Sequence, residues 1–297
     1  MSVFLFPGQG SQAPGMGRDF YERSPDAREV FDLAAAHCGP GYLARIFDGP
    51  GDELTRTCHA QPALLTVEVA ILRFLGSRGI RPSACAGHSL GEFSALVAAD
   101  ALDFESALAI VQVRARLMAE MAPRGGMMAI LGVPAEEVEA QIPESVEVAN
   151  YNGPEQTIIS GTPAALDEAE NILKAAGLKR VIRLQVSGPF HSSLMQDAAN
   201  EFRKALTSLD LRAPQIRFIS SVRPGEVTDP EQIRELLGAQ MCAPVCWTEV
   251  MRVIGPQRAI EVGPGRVLQG LAKRAEHGPQ VEPAGTLEAA QALEGGV

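Results

Sequence analysis

Gly87-His88-Ser89-Leu90-Gly91 sets a serine between two glycines, the Gly-x-Ser-x-Gly spacing of a nucleophilic hydroxyl held on a tight strand-to-helix turn. Small neighbours let strand and helix close around the serine. The bend points the hydroxyl outward, and the following helix offers its first N–H groups to a developing oxyanion. The bland alternative is a serine that caps an ordinary helix. The small apolar run Ser83 to Gly87 before it and the helical stretch Glu92 to Ala99 after it favour the elbow.

A serine hydroxyl is a weak nucleophile at neutral pH and needs a base. The five histidines are His37, His59, His88, His191 and His277. His88 adjoins the serine and diverges from it on a turn. His37 falls at a helix end, His59 in a polar loop before Gln61-Pro62, and His277 in a polar surface stretch. His191 follows the turn Ser187-Gly188-Pro189-Phe190 and is the best-placed base. No acidic residue stands out as its orienter, but a backbone carbonyl accepting the Nδ1 proton serves the same purpose. Phe6-Pro7-Gly8-Gln9-Gly10-Ser11-Gln12 is a glycine turn that either supplies a second oxyanion N–H or, through Gly8-x-Gly10-x-x-Ala13, loosely matches a dinucleotide fingerprint. Arg114 and Arg116 sit on a mostly apolar helix. They either reach solvent or turn a guanidinium toward a cleft, where it suits a carboxylate.

The elements that must position these groups read as α/β. Buried strands are expected at 3–6, 83–87, 216–220 and 259–262, and helices at 26–36, 63–75, 92–99, 104–121, 193–208, 230–240 and 268–274. Between them, 127–131, 134–142, 146–151, 157–160, 163–176 and 180–184 read β-α-β-β-α-β, a ferredoxin-like unit. Asn152-Gly153-Pro154 reads as the turn joining its middle strands. The expected division is a main domain of residues 1–124 and 190–297 and an inserted subdomain of residues 125–189. The stretch 278–297 is expected to pack loosely.

Composition narrows the function. The formal net charge is −10, which argues against general nucleic-acid binding. The five cysteines are odd in number and irregularly spaced, as for reduced thiols in a cytoplasmic protein, and Cys242 and Cys246 lack the partners of a metal site. No apolar run is read as a membrane span, and the apolar start 3–6 is read as a strand rather than a signal peptide.

Phe6-Pro7-Gly8-Gln9-Gly10-Ser11-Gln12, Gln61-Pro62-Ala63-Leu64, Gly87-His88-Ser89-Leu90-Gly91-Glu92, Gly188-Pro189-Phe190-His191-Ser192 and Glu261-Val262-Gly263-Pro264-Gly265, in that order, resemble the malonyl-CoA:acyl carrier protein transacylases over nearly the whole chain. The resemblance implies an α/β-hydrolase-like core with a ferredoxin-like insertion. It implies Ser89 as nucleophile, His191 as general base, and the N–H groups of Gln9 and Leu90 as oxyanion hole. Arg114 would grip the malonyl carboxylate, and Gln61, Met118, Asn150 and Asn152 would line the cleft. Phe190 resembles the malonyl-selective pattern of polyketide acyltransferases. The carbonyl that orients the histidine would be that of Cys246, before Trp247, where relatives commonly carry glutamine.

The implied reaction is ping-pong transfer from malonyl-CoA to the phosphopantetheine thiol of an acyl carrier protein, by a monomer, with neither metal nor bound cofactor. Lys273, Arg274, Arg252 and Arg266 offer a basic patch to an acidic carrier, although surface charges are seldom so specific. The competing readings are a free-standing acyltransferase of a polyketide synthase, a serine hydrolase or thioesterase, and a non-catalytic nucleotide-binding module.

Overall fold

The computed structural model describes residues 2–293. Its strands are β1 (Ser2–Phe6), β2 (Pro82–Gly87), β3 (Gly126–Leu131), β4 (Val146–Gly153), β5 (Gln156–Gly161), β6 (Val181–Arg183), β7 (Arg217–Ile219), β8 (Arg258–Glu261) and β9 (Gln280–Pro283). Five of them form one sheet in the order β7-β2-β1-β8-β9, and every pairing in it is parallel. The other four form an antiparallel sheet, β4-β5-β3-β6. The helices that bear on the site are α1 (Thr57–Ser77), α2 (Gly91–Ala98), α3 (Phe104–Glu120), α4 (Pro230–Ala239) and α5 (Trp247–Ile254).

The parallel sheet is buried on both faces, as its continuous apolar strands require. Alternation along β1 divides its side chains. Val3 and Leu5 pack with Trp247, Val250 and Leu268 on one face, while Phe4 and Phe6 join the core under α1 and α3 on the other. The antiparallel sheet has its own core, in which Met128, Ile130 and Ile159 meet Leu166 and Leu173 of the helix Pro163–Ala175.

Register brings the chemistry to one edge. Phe6 pairs with Gly87, Leu5 with Glu261 and Ala86 with Ile219, so β1, β2, β7 and β8 end side by side. The glycine turn, the serine elbow and Ser220-Ser221 therefore emerge together at the carboxyl edge, where open parallel sheets bind ligands. The elbow closes only without side chains. A Cβ on Gly87 would lie 1.9 Å from the Gly91 carbonyl carbon, one on Gly91 would lie 2.1 Å from the Phe6 oxygen, and one on Gly8 would lie 2.6 Å from the His88 oxygen.

Several elements differ from the sequence reading. α1 starts at Thr57, so His59, Gln61 and Pro62 are helical rather than in a loop. This helix is long and apolar enough to cross a membrane by length and composition, contrary to the sequence reading, but it is mostly buried as a core helix. Asn152 and Gly153 belong to β4 and not to the turn after it. The stretch expected to be loose carries β9, which pairs with β8, and the helix Leu287–Ala292, whose first N–H donates to Asp19 Oδ2 at 2.6 Å. Residues 294–297 of that stretch lie outside the described residues. α5 had no counterpart in the sequence reading.

Because backbone atoms, not movable side chains, surround the missing Cβ of Gly91, Gly91→Ala should lower unfolding free energy by about 3 kcal/mol or more. Urea denaturation followed by circular dichroism measures this, and a loss below about 1 kcal/mol would contradict the close packing of the elbow.

Candidate active site

Ser89 lies between β2 and α2, with one residue, His88, separating it from the end of the strand. Its φ of 51° is in the left-handed region, rare for a residue with a side chain and found where a site over-determines the backbone. His191 shares the feature, at φ 58°. The Ser192 hydroxyl donates to the Pro189 carbonyl at 2.6 Å, fixing the turn that carries the imidazole. The two side chains meet although 102 residues separate them: Ser89 Oγ lies 2.9 Å from His191 Nε2.

The imidazole's tautomer follows from its other nitrogen. Nδ1 faces the carbonyls of Gln240 at 2.8 Å and Ala243 at 3.1 Å. Carbonyls only accept, so Nδ1 carries the proton and Nε2 presents its lone pair to the serine O–H. Burial, together with the nearby positive charge of Arg114, lowers the His191 pKa to about 3. The ring is therefore a neutral acceptor throughout the physiological range.

The carbonyls that do this belong to the loop between α4 and α5. β4 holds that loop: Val245 N–H donates to the Ala149 carbonyl and Tyr151 N–H to the Val245 carbonyl, both at 2.9 Å. Asn150 sits at this bridge, and Asn152 Oδ1 lies 2.8 Å from His88 Nε2. The edge of the antiparallel sheet thus braces both the loop that orients His191 and the residue next to the serine.

Arg114 is wholly buried on α3. Its Nη1 donates to Gln61 Oε1 at 2.7 Å, and its Nη2 donates to Gln240 Oε1 at 2.7 Å and Ser89 Oγ at 3.0 Å. Gln61 in turn donates to the Met118 sulfur at 3.3 Å. Helical spacing places Arg114 and Met118 on one face, whereas Arg116 points to solvent. Burial lowers the Arg114 pKa to about 10, which still leaves it cationic at neutral pH. Among the described residues no carboxylate forms an ion pair with it, and its Nε has no partner. The site thus holds a cation with unused hydrogen-bonding capacity beside a hydroxyl and its acceptor.

The glycine turn lies against the elbow, and Gln9 Nε2 donates to Thr57 Oγ1 at 3.2 Å, which in turn lies 3.2 Å from Ser187 Oγ. The next helix begins only at Arg18, so the turn does not open a helix as a dinucleotide fingerprint must. Phe190 is buried in the core cluster that also contains Leu90 and Met118.

The site thus joins a serine elbow, a histidine with its proton fixed away from the serine, and an adjacent guanidinium that no carboxylate pairs directly. The family model for the acyl transferase domain matches residues 3–292. The chain belongs to the acyl transferase family. The malonyl CoA-acyl carrier protein transacylase of Bacillus subtilis strain 168 is 43% identical over 283 residues, covering 92% of this chain and 89% of that protein. Its Escherichia coli K12 counterpart is 40% identical over 283 residues, covering 92% of each. Among solved structures, an acyl-carrier-protein S-malonyltransferase from Burkholderia pseudomallei 1710b superposes with a TM-score of 0.93 at 39% identity, covering 98% of both chains. A malonyl-transacylase in complex with its type II PKS acyl-carrier protein superposes with a TM-score of 0.91 at 36% identity, covering 97% of both.

This acyltransferase departs from the sequence reading at the residue that orients His191. The Cys246 carbonyl does not meet the imidazole. It accepts the Val250 N–H in the first turn of α5, while the Cys246 N–H donates to the Ser221 carbonyl. The helix start uses the carbonyl, and Gln240 and Ala243 act in its place. Gln240 is the residue that sequence reasoning missed. It is fully buried, and besides its contacts with His191 and Arg114 its Nε2 donates to the Ser89 carbonyl at 2.9 Å. A glutamine at a helix end just before Met241-Cys242-Ala243-Pro244 was the only signal for it. In the expected basic patch, all four residues are exposed, but Arg252 pairs with Glu249 and Arg274 donates to Gln156.

With the imidazole pKa lowered, sulfonylation of Ser89 by a small uncharged sulfonyl fluoride should keep its rate as pH falls from 7 to 5. An ordinary histidine near pKa 6.5 would lose more than nine-tenths of the rate over that interval. Stopped aliquots assayed by intact mass measure it, and a midpoint near 6.5 would contradict the buried neutral ring.

Proposed function

We propose that this acyltransferase moves a malonyl group from malonyl-CoA to the phosphopantetheine thiol of an acyl carrier protein, through an ester on Ser89. The observation that carries the reading is the Arg114 guanidinium, buried without a carboxylate partner and 3.0 Å from the Ser89 hydroxyl. A buried cation is costly unless an anion joins it, so the pocket favours an acyl group with a free carboxylate over an uncharged one. An approach of the malonyl carboxylate to Nη2 competes with Ser89 Oγ for that donor and frees the hydroxyl to turn toward the thioester.

In the first half-reaction Ser89 Oγ attacks the thioester carbonyl while His191 Nε2 takes its proton. The N–H groups of Gln9 and Leu90 receive the oxyanion, and the α2 N-terminus adds its partial positive charge. Collapse expels the CoA sulfur, which takes the proton from His191, and leaves malonyl-Ser89. In the second half-reaction the carrier thiol gives its proton to Nε2 and attacks the ester. Collapse returns the proton to Ser89 Oγ and releases the malonyl thioester. Deprotonating a thiol is easier than deprotonating water, so a neutral imidazole selects transfer over hydrolysis. No step calls on a metal or a bound cofactor. Gln61 steadies the guanidinium from one side, and Phe190, with Met118 in the same core, limits room for a branched acyl chain. The five thiols are all free, in keeping with a reducing, cytoplasmic setting.

Intact-mass spectrometry after mixing with malonyl-CoA should show one added malonyl group on Ser89, and none in Ser89→Ala. Arg114→Ala should lower kcat/KM for malonyl-CoA by roughly two orders of magnitude, about 2–3 kcal/mol, and shift preference toward acetyl-CoA. Unchanged malonyl kinetics in that variant would remove the carboxylate-binding role. Loss of CoA at the same rate with and without carrier protein would favour a hydrolase instead.

A further inference from the structure

The buried polar network extends one residue beyond the reaction scheme. Glu92, in the first turn of α2, is 1% exposed. Its Oε1 accepts the Ser221 N–H at 2.5 Å, and its Oε2 accepts Gln240 Nε2 at 2.6 Å. Burial raises the Glu92 pKa, but both of these contacts are N–H donors, which favour the ionised carboxylate and oppose that shift. The same Gln240 amide nitrogen donates to the Ser89 carbonyl, while the amide oxygen accepts Arg114 Nη2 at 2.7 Å. Only one orientation of the amide satisfies all of these contacts. Turned over, it would set its NH2 against a guanidinium and its oxygen against a carboxylate and a carbonyl. Gln240 therefore lies as an oriented dipole between a buried anion and a buried cation that do not touch.

We propose that Glu92 and Gln240 are positioning residues that set the preference for carboxylated acyl groups, with Gln240 holding the Arg114 guanidinium beside Ser89 and keeping it apart from the Glu92 carboxylate. This rests on the roles given above to Ser89 and Arg114. The spacing matters because the two simpler arrangements both fail. A direct fork-to-fork pair between Arg114 and Glu92 would take up the donors that a substrate carboxylate needs. Removing the anion altogether would leave a buried cation with nothing to balance it in the unloaded site. An anion one amide away still acts on the guanidinium through the low-dielectric interior. Gln240 also couples this arrangement to catalysis, since its main-chain carbonyl fixes the Nδ1 proton of His191. The residue that presents the specificity cation thereby sets the imidazole as well.

The test is single-turnover acylation of Ser89 by malonyl-CoA and by acetyl-CoA, in the full chain and in Gln240→Met and Glu92→Gln. Gln240→Met keeps the main-chain carbonyl and the side-chain length but loses the amide; Glu92→Gln keeps the shape and loses the charge. In each, malonyl acylation should fall at least tenfold more than acetyl acylation, mostly through weaker malonyl-CoA binding. Adding Glu92→Gln to Arg114→Ala should change the malonyl-to-acetyl ratio less than threefold further, because its target is gone. A merely structural role would lower both substrates in parallel, and that result in either single variant would overturn the proposal. If the unaltered chain takes up no malonyl group on Ser89, the functional reading itself fails. If it does and the variants keep its malonyl-to-acetyl ratio, only this inference fails.

Discussion

The proton on Nδ1 of His191 determines whether the site can work. An imidazole beside a serine is useless if the serine-facing nitrogen already carries hydrogen. The Gln240 and Ala243 carbonyls settle this without a third charged residue. Main-chain carbonyls have a second advantage here. A buried carboxylate at that position would add a negative charge next to Arg114 and compete for it, whereas carbonyls orient the ring and leave the guanidinium without a directly paired anion. The same choice keeps the imidazole easily deprotonated, since no anion favours its cationic form and Arg114 opposes it.

That arrangement depends on both sheets. The parallel sheet brings the elbow and the glycine turn to one edge through its register, and the glycines permit a backbone approach that no other residue allows. The antiparallel sheet holds the loop with the orienting carbonyls through a short bridge at Val245. His191 itself lies where the chain returns from that sheet to the rest of the molecule. Nucleophile, base and orienting loop therefore come from three separate stretches of chain, and their meeting depends on how the two sheets pack. Arg114 crosses the site from a fourth, and Gln240 joins it to the other three.

Much of this was legible in the sequence, for identifiable reasons. The elbow was readable because strand, glycine, serine, glycine and helix are consecutive, so local sterics alone fix Ser89. The alternation of strands and helices, with β-α-β-β-α-β in the middle, followed from short apolar runs and turn residues. Pro62 hid the first turn and a half of α1, because a proline inside a helix reads as its boundary. β9 was missed because Gln280–Pro283 is a polar edge strand whose partner, β8, is the sole reason it is a strand.

Sequence by itself therefore determined the serine, its bend, the α/β class and the choice of His191 among five histidines. Those depend on residue type and on neighbours a few positions away. Tertiary structure alone decided which carbonyls hold the imidazole and that Gln240 joins the groups of the site; the choice of Arg114 over Arg116 came from the family resemblance, not from helix spacing, and the structure places Arg114 beside the serine. A backbone carbonyl is the same chemical group at every position, so no pattern of side chains distinguishes Cys246 from Gln240 or Ala243. What separates them is that α5 uses one carbonyl in its first turn and leaves the others free to face the ring.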